Sequence, residues 1–367
     1  MLARFDDERL WEAVLGRPTL ATDTRDFAHL TGRRVMVTGA GGSIGRELVR
    51  QIALARPERL TLVELSEFNL YEVNRLVCGL TPNLVAAPLL VDVRHTYAVE
   101  KVFEAERPEI VFHAAALKHV PLLESGHNLI EGARTNVLGT KNIADNCVRT
   151  GVRELVMIST DKAVNPTSVM GLTKRAAELY VHQVGNGAGT TSCTTVRFGN
   201  VCGSSGSVIP LFVEQVRRGG PLTLTHPDVV RYLMTIPEAV SLVLQASWLG
   251  VGEPAGIYVL DMGAPVRVQL IAERVCHHLG KTLHDDIAIE IIGLRPGEKL
   301  FEELAYADER PEPTARPGIS RVTASAAPVV SADWMALLKT YSDERKAADV
   351  LRLLTDLVPQ YRSAPCV

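Results

Sequence analysis

The stretch from Arg33 to Glu64 leaves few folds open. Arg33 to Thr38 reads R-R-V-M-V-T, a short buried strand. T-G-A-G-G-S-I-G follows at once, with Gly39, Gly42 and Gly45 ahead of a helical pattern through Glu47, Leu48, Ile52 and Ala53. A second apolar strand, Leu60 to Val63, ends in Glu64, 25 residues after Gly39. Glycines between strand and helix allow a tight turn and close approach of backbone to a pyrophosphate. The phosphate then sits on the helix N-terminus, with Ser43 and Ile44 in its first turn. A carboxylate at Glu64 accepts hydrogen bonds from adenosine ribose hydroxyls and repels a 2′-phosphate, so the expected cofactor is NAD rather than NADP. A Gly-rich turn alone is an ordinary loop; strand, glycines, helix, strand and acid in this order form a dinucleotide fingerprint.

Alternation continues to about residue 201. Leu89 to Val93 reads as a strand ending near Asp92, followed by a helix to Glu106 and a strand from Ile110 to Ala116. A helix around Thr135 to Arg149, a strand at Leu155, a helix from Gly171 to about Val184 and a strand from Thr194 to Phe198 complete the series. Such βαβ order predicts an α/β fold with a Rossmann-type doubly wound parallel sheet. From Val201 onward Gly, Ser and Pro become frequent, and helices alternate with isolated strands such as Ile257 to Leu260. The expected division is an N-terminal arm (1–30), a dinucleotide-binding domain (31–201), a smaller substrate lobe (202–330) and a C-terminal helical segment (331–367). The strand at 257–261 is a candidate to return to the main sheet. Residues 308–330, rich in Pro, Ala and Ser, read as a linker or extended cover, and Asp333 to Tyr361 as a packing helix.

Composition narrows the class. A chain of 367 residues with 46% apolar content can bury a large core and a second lobe, and a net charge of −3 speaks against nucleic-acid or anionic-membrane partners. Cys78, Cys147, Cys193, Cys202, Cys276 and Cys366 form no C-x-x-C and read as reduced thiols, with neither metal nor disulfide expected. No apolar run reaches the ~18 residues of a spanning helix, and acids between Met1 and Pro18 spoil a signal peptide. A soluble, cytoplasmic protein is expected.

Chemistry concentrates in residues 160 to 174, T-D-K-A-V-N-P-T-S-V-M-G-L-T-K, after the apolar run Leu155 to Ile158. In the short-chain dehydrogenase architecture this place belongs to Ser/Thr and Y-x-x-x-K. Lys174 is present, but Met170 stands where Tyr is expected. A thioether has no proton to give or take. The ionisable candidates beside Thr160 are Asp161 and Lys162.

From about Leu15 to Val322 the chain resembles an extended short-chain dehydrogenase/reductase of the bacterial polysaccharide-biosynthesis group, the UDP-N-acetylhexosamine 4,6-dehydratases. The resemblance rests on V-T-G-A-G-G-S-I-G, S-E-F-N-L-Y, H-A-A-A-L-K-H-V-P, T-N-V-L-G-T-K-N, S-T-D-K-A-V-N-P-T, R-F-G-N-V, T-H-P-D, R-Y-L-M-T-I-P-E-A and G-L-R-P-G-E-K-L-F-E-E-L. Larger members carry a membrane domain before a segment like Leu15 to Pro18, where this chain is expected to begin. Ser168 departs from the Asn usual in N-P-T-N-V-M-G. The resemblance implies oxidation at sugar carbon 4, loss of the carbon 5 proton, departure of the carbon 6 hydroxyl as water, and hydride return to carbon 6. It implies Asp161 as the acid toward the hydroxyl, Lys162 as the base at carbon 5, Thr160 on the carbon 4 oxygen and Lys174 on the nicotinamide ribose. Taking the carbon 4 hydroxyl proton falls to Asp161 or to a water it orients. A Lys base needs a depressed pKa, which crowding by Lys174 and the nicotinamide cation would supply. Asp92, Val93, Ala114 and Ala115 join the implied cofactor site.

The implied partner is a UDP-sugar, with homo-oligomer formation left open. Arg231 and Arg295 are the expected diphosphate contacts, and Glu298 an acceptor for ribose hydroxyls. Asn200 matches the same set. Arg197 either touches the substrate or braces the sheet. Asn136 orders either a catalytic water or a helix. Lys118 and His119 resemble positions near the sugar, with His119 equally readable as a structural histidine. Two rival functions share these features: a nucleotide-sugar 4-epimerase, which depends on the missing Tyr, and a non-catalytic NAD-binding protein, which has no need of Asp161 and Lys162.

Overall fold

The computed structural model describes residues 8–19, 24–187, 189–323 and 328–363. Cys366 and the first residues of the expected N-terminal arm lie outside them. Seven parallel strands form the centre: β1 (Arg34–Thr38), β2 (Arg59–Glu64), β3 (Val85–Leu90), β4 (Ile110–His113), β5 (Glu154–Ile158), β6 (Ser192–Arg197) and β7 (Gly256–Leu260). Their order is β3-β2-β1-β4-β5-β6-β7. β8 (Arg310–Pro313) and β9 (Ile319–Thr323) extend the sheet antiparallel beyond β7. This is the doubly wound α/β fold that the alternating pattern predicts.

The central strands are buried along almost their whole length because helices cover both faces. On one face Leu48, Val49 and Ile52 of the helix Ser43–Leu54 share a core with Val240, Val243 and Leu244 of the helix Ile236–Leu249. On the other, Phe103, Ile143, Cys147, Ala177 and Val181 close over Met36, Val111 and Leu155. A separate core lies in the smaller lobe. There Leu10, Trp11 and Val14 of the helix Glu8–Leu15 pack with Phe212, Ile271 and Val275. No helix among the described residues is long and apolar enough to cross a membrane.

Four segments differ from the sequence expectation. β3 spans 85–90, because its ladder with β2 runs from Arg59↔Val85 to Glu64↔Leu90, and Asp92 and Val93 therefore fall in the loop beyond it. The region 308–330 is no linker: it contains β8 and β9. Its prolines misled, since Pro311 and Pro313 sit on an edge strand, where a missing N–H costs no ladder bond. The C-terminal segment is two helices, Ala332–Asp343 and Ala347–Leu357, separated at Arg345 with φ 57° and stitched by the Trp334 indole N–H donating to the Leu353 carbonyl. Finally, the helix expected around 135–149 begins as a π-helical turn, Ala133–Gly139, before the α-helix Thr140–Thr150. Such turns frequently mark functional sites.

Candidate active site

Thr38, Glu64 and His113 are the last residues of β1, β2 and β4, and Ser159 and Thr160 follow β5 directly, so the sheet delivers one polar group after another to its carboxyl edge. Strand order reverses between β1 and β4, where open α/β sheets leave a crevice for ligands. The glycine turn fills one side of that crevice. Gly39 has φ +65°, and a Cβ on it would lie 2.7 Å from the Ala115 Cα. A Cβ on Gly45 would lie 1.9 Å from the Gly39 carbonyl oxygen, and one on Gly41 2.5 Å from the Asn69 Cβ. Gly41 is thus the sterically strict middle glycine; Gly42, where a Cβ would meet nothing nearer than 3.3 Å, is the N-cap of the helix Ser43–Leu54. The Gly42 cap uses no side chain, so the first-turn N–H groups around Ser43 and Ile44 are aimed at the crevice. Glu64 fastens this turn: its carboxylate accepts from the backbone N–H of Gly41 (2.9 Å), Leu65 (3.0 Å) and Ser66 (3.0 Å). Backbone donors at a helix start and a carboxylate at the next strand end fit a dinucleotide.

The remaining residues expected at the cofactor divide. Ala114 follows β4, its N–H donating to the Thr38 carbonyl, and with Ala115 it backs Gly39. Asp92 is engaged by Arg94 through the backbone N–H and the guanidinium. Burial works against its charge, but Arg94 outweighs it and holds the carboxyl below its usual range. Val93 is buried against the position of Gly139, in the core rather than the crevice.

Behind the crevice runs a buried polar chain. His113 hydrogen-bonds Thr38 Oγ1 at 2.7 Å and Thr140 Oγ1 at 2.9 Å, and burial, aided by the Lys174 charge, pushes it down to about 3. Asn136, in the π-helical turn, accepts from the Leu117 N–H at 2.8 Å and donates to the Leu117 carbonyl and to Thr173 Oγ1, both at 3.0 Å. With its amide so engaged, Asn136 fixes the 117 loop to the helix Val169–Gly185. Lys118 and His119 follow in that loop with surface exposure; desolvation by neighbouring protein lowers both, and the Lys118 charge adds to the fall at His119. His119 stands beside Gly206, where a Cβ would come within 2.5 Å of its ring.

After β5 the chain turns through Thr160 and the short 3₁₀ turn Asp161–Ala163. Thr160 Oγ1 donates to Asp161 Oδ1 at 2.9 Å, and Lys162 Nζ donates to the same oxygen at 3.0 Å and to Asn200 Oδ1 at 3.0 Å. Asp161 is fully buried, and its Oδ2, against Gly199, has no partner among the described residues. Ser168, in place of the usual Asn, caps the next helix by accepting from the Gly171 N–H at 3.1 Å. Lys174 Nζ donates to the Ile158 carbonyl at 2.6 Å, and burial brings it down to about 8, against the pull of Glu178. Met170 faces an apolar cluster with Leu123, Val137, Leu172, Met335 and Val350. The position expected to carry the phenol belongs to the core.

Two expectations change and one open alternative narrows. Lys162 is not depressed. Burial, the largest influence, opposes its charge, yet Asp161 and Glu302 outweigh burial and the opposing Arg231, so the ammonium is held above its usual range. Arg197 is fully buried and is no substrate contact: its guanidinium meets Glu178 at 2.9 Å and Glu309 at 2.6 and 3.1 Å. Arg231 and Glu298 occupy one another at 2.9 Å, with Thr225 on the same carboxylate oxygen and Arg231 also donating to the Val230 and Leu300 carbonyls. Arg295 is exposed, its backbone N–H on Glu298 Oε2 at 3.2 Å. Sequence reasoning missed Glu302, buried and 3.6 Å from Lys162 Nζ. Its only signal was the acid pair in E-K-L-F-E-E-L.

Comparison with known proteins decides the lineage. The family described as polysaccharide biosynthesis protein matches residues 35–324. The chain belongs to that family. Among its relatives, the capsular polysaccharide biosynthesis protein CapD of Staphylococcus aureus is 45% identical over 81% of this chain and 49% of its own length. The chain spans about half the length of CapD and of EpsC from Bacillus subtilis, which is 41% identical over 90% of this chain and 54% of its own. A UDP-N-acetylglucosamine 4,6-dehydratase (inverting) of Campylobacter jejuni is 28% identical, covering 76% of this chain and 79% of its own. A UDP-glucose 4-epimerase of Rickettsia rickettsii is 36% identical over 59% and 61%. Of solved structures, Pen from Bacillus thuringiensis superposes with a TM-score of 0.71 at 28% identity, over 80% of this chain and 90% of that one. DesIV of Streptomyces venezuelae, a dTDP-glucose 4,6-dehydratase solved with NAD, shares the fold at a TM-score of 0.61 and 22% identity, over 74% and 88%. This family member therefore has the extended short-chain dehydrogenase/reductase fold.

Proposed function

We propose that this chain is an NAD-dependent hydro-lyase that converts a UDP-N-acetylhexosamine, in the first instance UDP-N-acetylglucosamine, to its 4-keto-6-deoxy sugar. The observation that carries the reading is the Thr160–Asp161–Lys162 turn, an acid and an amine in direct contact at the end of β5, beside a dinucleotide cradle. NAD, held by the turn from Gly39 to Gly45, by Glu64 and by Lys174, supplies the hydride acceptor for carbon 4 and the donor for carbon 6. Proton handling belongs to the protein. Passing one proton from Lys162 to Asp161 across their contact gives a neutral amine and a carboxylic acid. Lys162 then takes the carbon 5 proton, and Asp161 gives its proton to the departing carbon 6 hydroxyl, which leaves as water. A proton from Lys162 returns to carbon 5, and the amine regains its own from water. The Thr160 hydroxyl aligns the carbon 4 oxygen, whose proton leaves to water. Arg231 and Arg295 are the cations toward the nucleotide diphosphate, Glu298 an acceptor for ribose hydroxyls and Asn200 a further nucleotide-sugar contact, with Lys118 and His119 near the sugar.

The Rickettsia relative favours weighing 4-epimerisation as a second reading. Against it stands Met170, packed in the core with no proton to exchange. A non-catalytic role is opposed by the buried Asp161 with one oxygen unpartnered, a costly arrangement that a purely structural turn does not need. The test is incubation of the purified protein with UDP-N-acetylglucosamine followed by mass spectrometry. Loss of one water, without accumulation of NADH, is expected; a product of unchanged mass with inverted carbon 4 would establish the epimerase instead.

A further inference from the structure

Residues 297–306 lie against the catalytic turn and fasten it at successive points. Thr167 Oγ1 donates to the Gly297 carbonyl (3.0 Å), Lys299 Nζ to the Val164 carbonyl (2.9 Å), Asn165 Nδ2 to Glu303 (2.6 Å), and the Tyr306 hydroxyl to the Ala163 carbonyl (2.7 Å). Among these contacts Glu302 alone reaches a side chain with acid/base chemistry. Its Oε1 is 3.6 Å from Lys162 Nζ, its side chain is 4% exposed, and its Oε2 has no partner among the described residues. An isolated buried carboxylate is expensive to keep, and this one spends its single approach on Lys162. The charges facing Lys162 are Asp161 from its own turn, Glu302 from the covering segment and Arg231 from the strand Val230–Arg231; the neutral Asn200 amide oxygen completes the ring. Two negative charges thus stand against one positive.

We infer that Glu302 is a positioning residue for Lys162: as a second carboxylate beside Asp161, it holds the ammonium in place and decides how readily that amine yields its proton. The same segment carries Glu298, which grips Arg231, so the nucleotide end and the proton end of the crevice are built on one stretch of chain. The catalytic meaning of this assignment rests on the dehydratase reading, but the contact itself can be tested without it. Trace acetylation of the folded protein with acetic anhydride, read peptide by peptide by mass spectrometry, reports the neutral fraction of each amine; the exposed Lys281 serves as control. In Glu302→Gln, Lys162 should label several-fold faster than in wild type at the same pH while Lys281 is unchanged, and Glu302→Asp should keep the slow wild-type rate. In turnover, the limb of the pH profile belonging to the base should move to lower pH in Glu302→Gln with KM for the UDP-sugar unaltered. Unchanged labelling of Lys162, or a rise shared by Lys281, overturns the assignment. An inactive wild-type protein whose Lys162 still responds to Glu302→Gln would overturn the dehydratase reading and leave this one standing.

Discussion

Replacing Arg197 by Met separates a bracing residue from a ligand contact, because the side chain volume is nearly kept while the charge is lost. Arg197 is fully buried and makes four charge-assisted hydrogen bonds, two to Glu178 on the helix that carries Lys174 and two to Glu309 just ahead of β8. Burial alone would raise the Glu178 carboxyl, but Arg197, with help from Arg175 and the Ser159 hydroxyl, brings it from its ordinary 4.5 to about 2. A fall of that size corresponds to about 3 kcal/mol of stability. Breaking a buried ion pair from one side costs about 3 to 5 kcal/mol, so two independent routes agree. Arg175, 3.0 Å from Glu178 in the native chain, would still be at hand in the variant, which places the expected loss near the lower figure. Because the depressed carboxyl contributes its stability above the ordinary carboxylate range and loses it as pH falls through that range toward 2, the deficit of Arg197→Met should be largest near neutrality. It should shrink as the solution is acidified below about pH 4.5. Urea unfolding at neutral and acidic pH measures this directly, alongside UDP affinity by calorimetry. A variant of wild-type stability with weakened UDP-sugar binding would refute the bracing role.

Three further outcomes follow from the site. Asp161→Asn and Lys162→Ala, each checked for retained NAD and fold, should lose roughly 10² or more in turnover, while Met170→Leu keeps measurable activity; the reverse ranking would overturn the assigned chemistry. Gly45→Ala should abolish NAD copurification, since its methyl would lie 1.9 Å from the Gly39 carbonyl oxygen, and a variant that retains NAD would show the turn to be more pliant than its geometry implies. Arg231→Ala should weaken UDP binding by a factor matching about 1.5 to 3 kcal/mol and leave NAD in place, as titration calorimetry against UDP would show.

What the sequence made legible is what short-range pattern encodes. The strand-glycine-helix run from Arg33 to Ile52, the acid at Glu64 and the alternation through Phe198 are local periodicities, and each marks an element of the sheet edge. Asp161 and Lys162 were visible because a strand end beside a phosphate cradle is where chemistry collects. Arg197 stayed ambiguous because its second partner lies 112 residues further on, and no pattern within R-F-G-N distinguishes a guanidinium facing phosphate from one facing Glu309. The charged state of Lys162 was hard to read for a related reason: Glu302 comes from a distant motif, and the charge crowding was credited in part to Lys174, whose amine points instead at the Ile158 carbonyl. β8 was hidden by composition, since prolines that usually mark a connector here decorate an outer rung.

The return of β7, β8 and β9 to the main sheet bears on how such a protein can be re-engineered. Besides the helix Glu8–Leu15, the smaller lobe draws on two excursions, 200–235 and 261–309, thrown from a single framework that includes the sheet-covering helix Ile236–Leu249 and whose last strands come after both. A fragment stopped at Val201 would leave β6 as a raw margin and strip Arg197 of Glu309, so the dinucleotide half cannot be lifted out as a free-standing module. Exchanging sugar specificity between relatives therefore calls for swapping the excursions between fixed anchor strands, with Glu178, Arg197 and Glu309 kept as a matched trio, rather than for joining one protein's front half to another's rear.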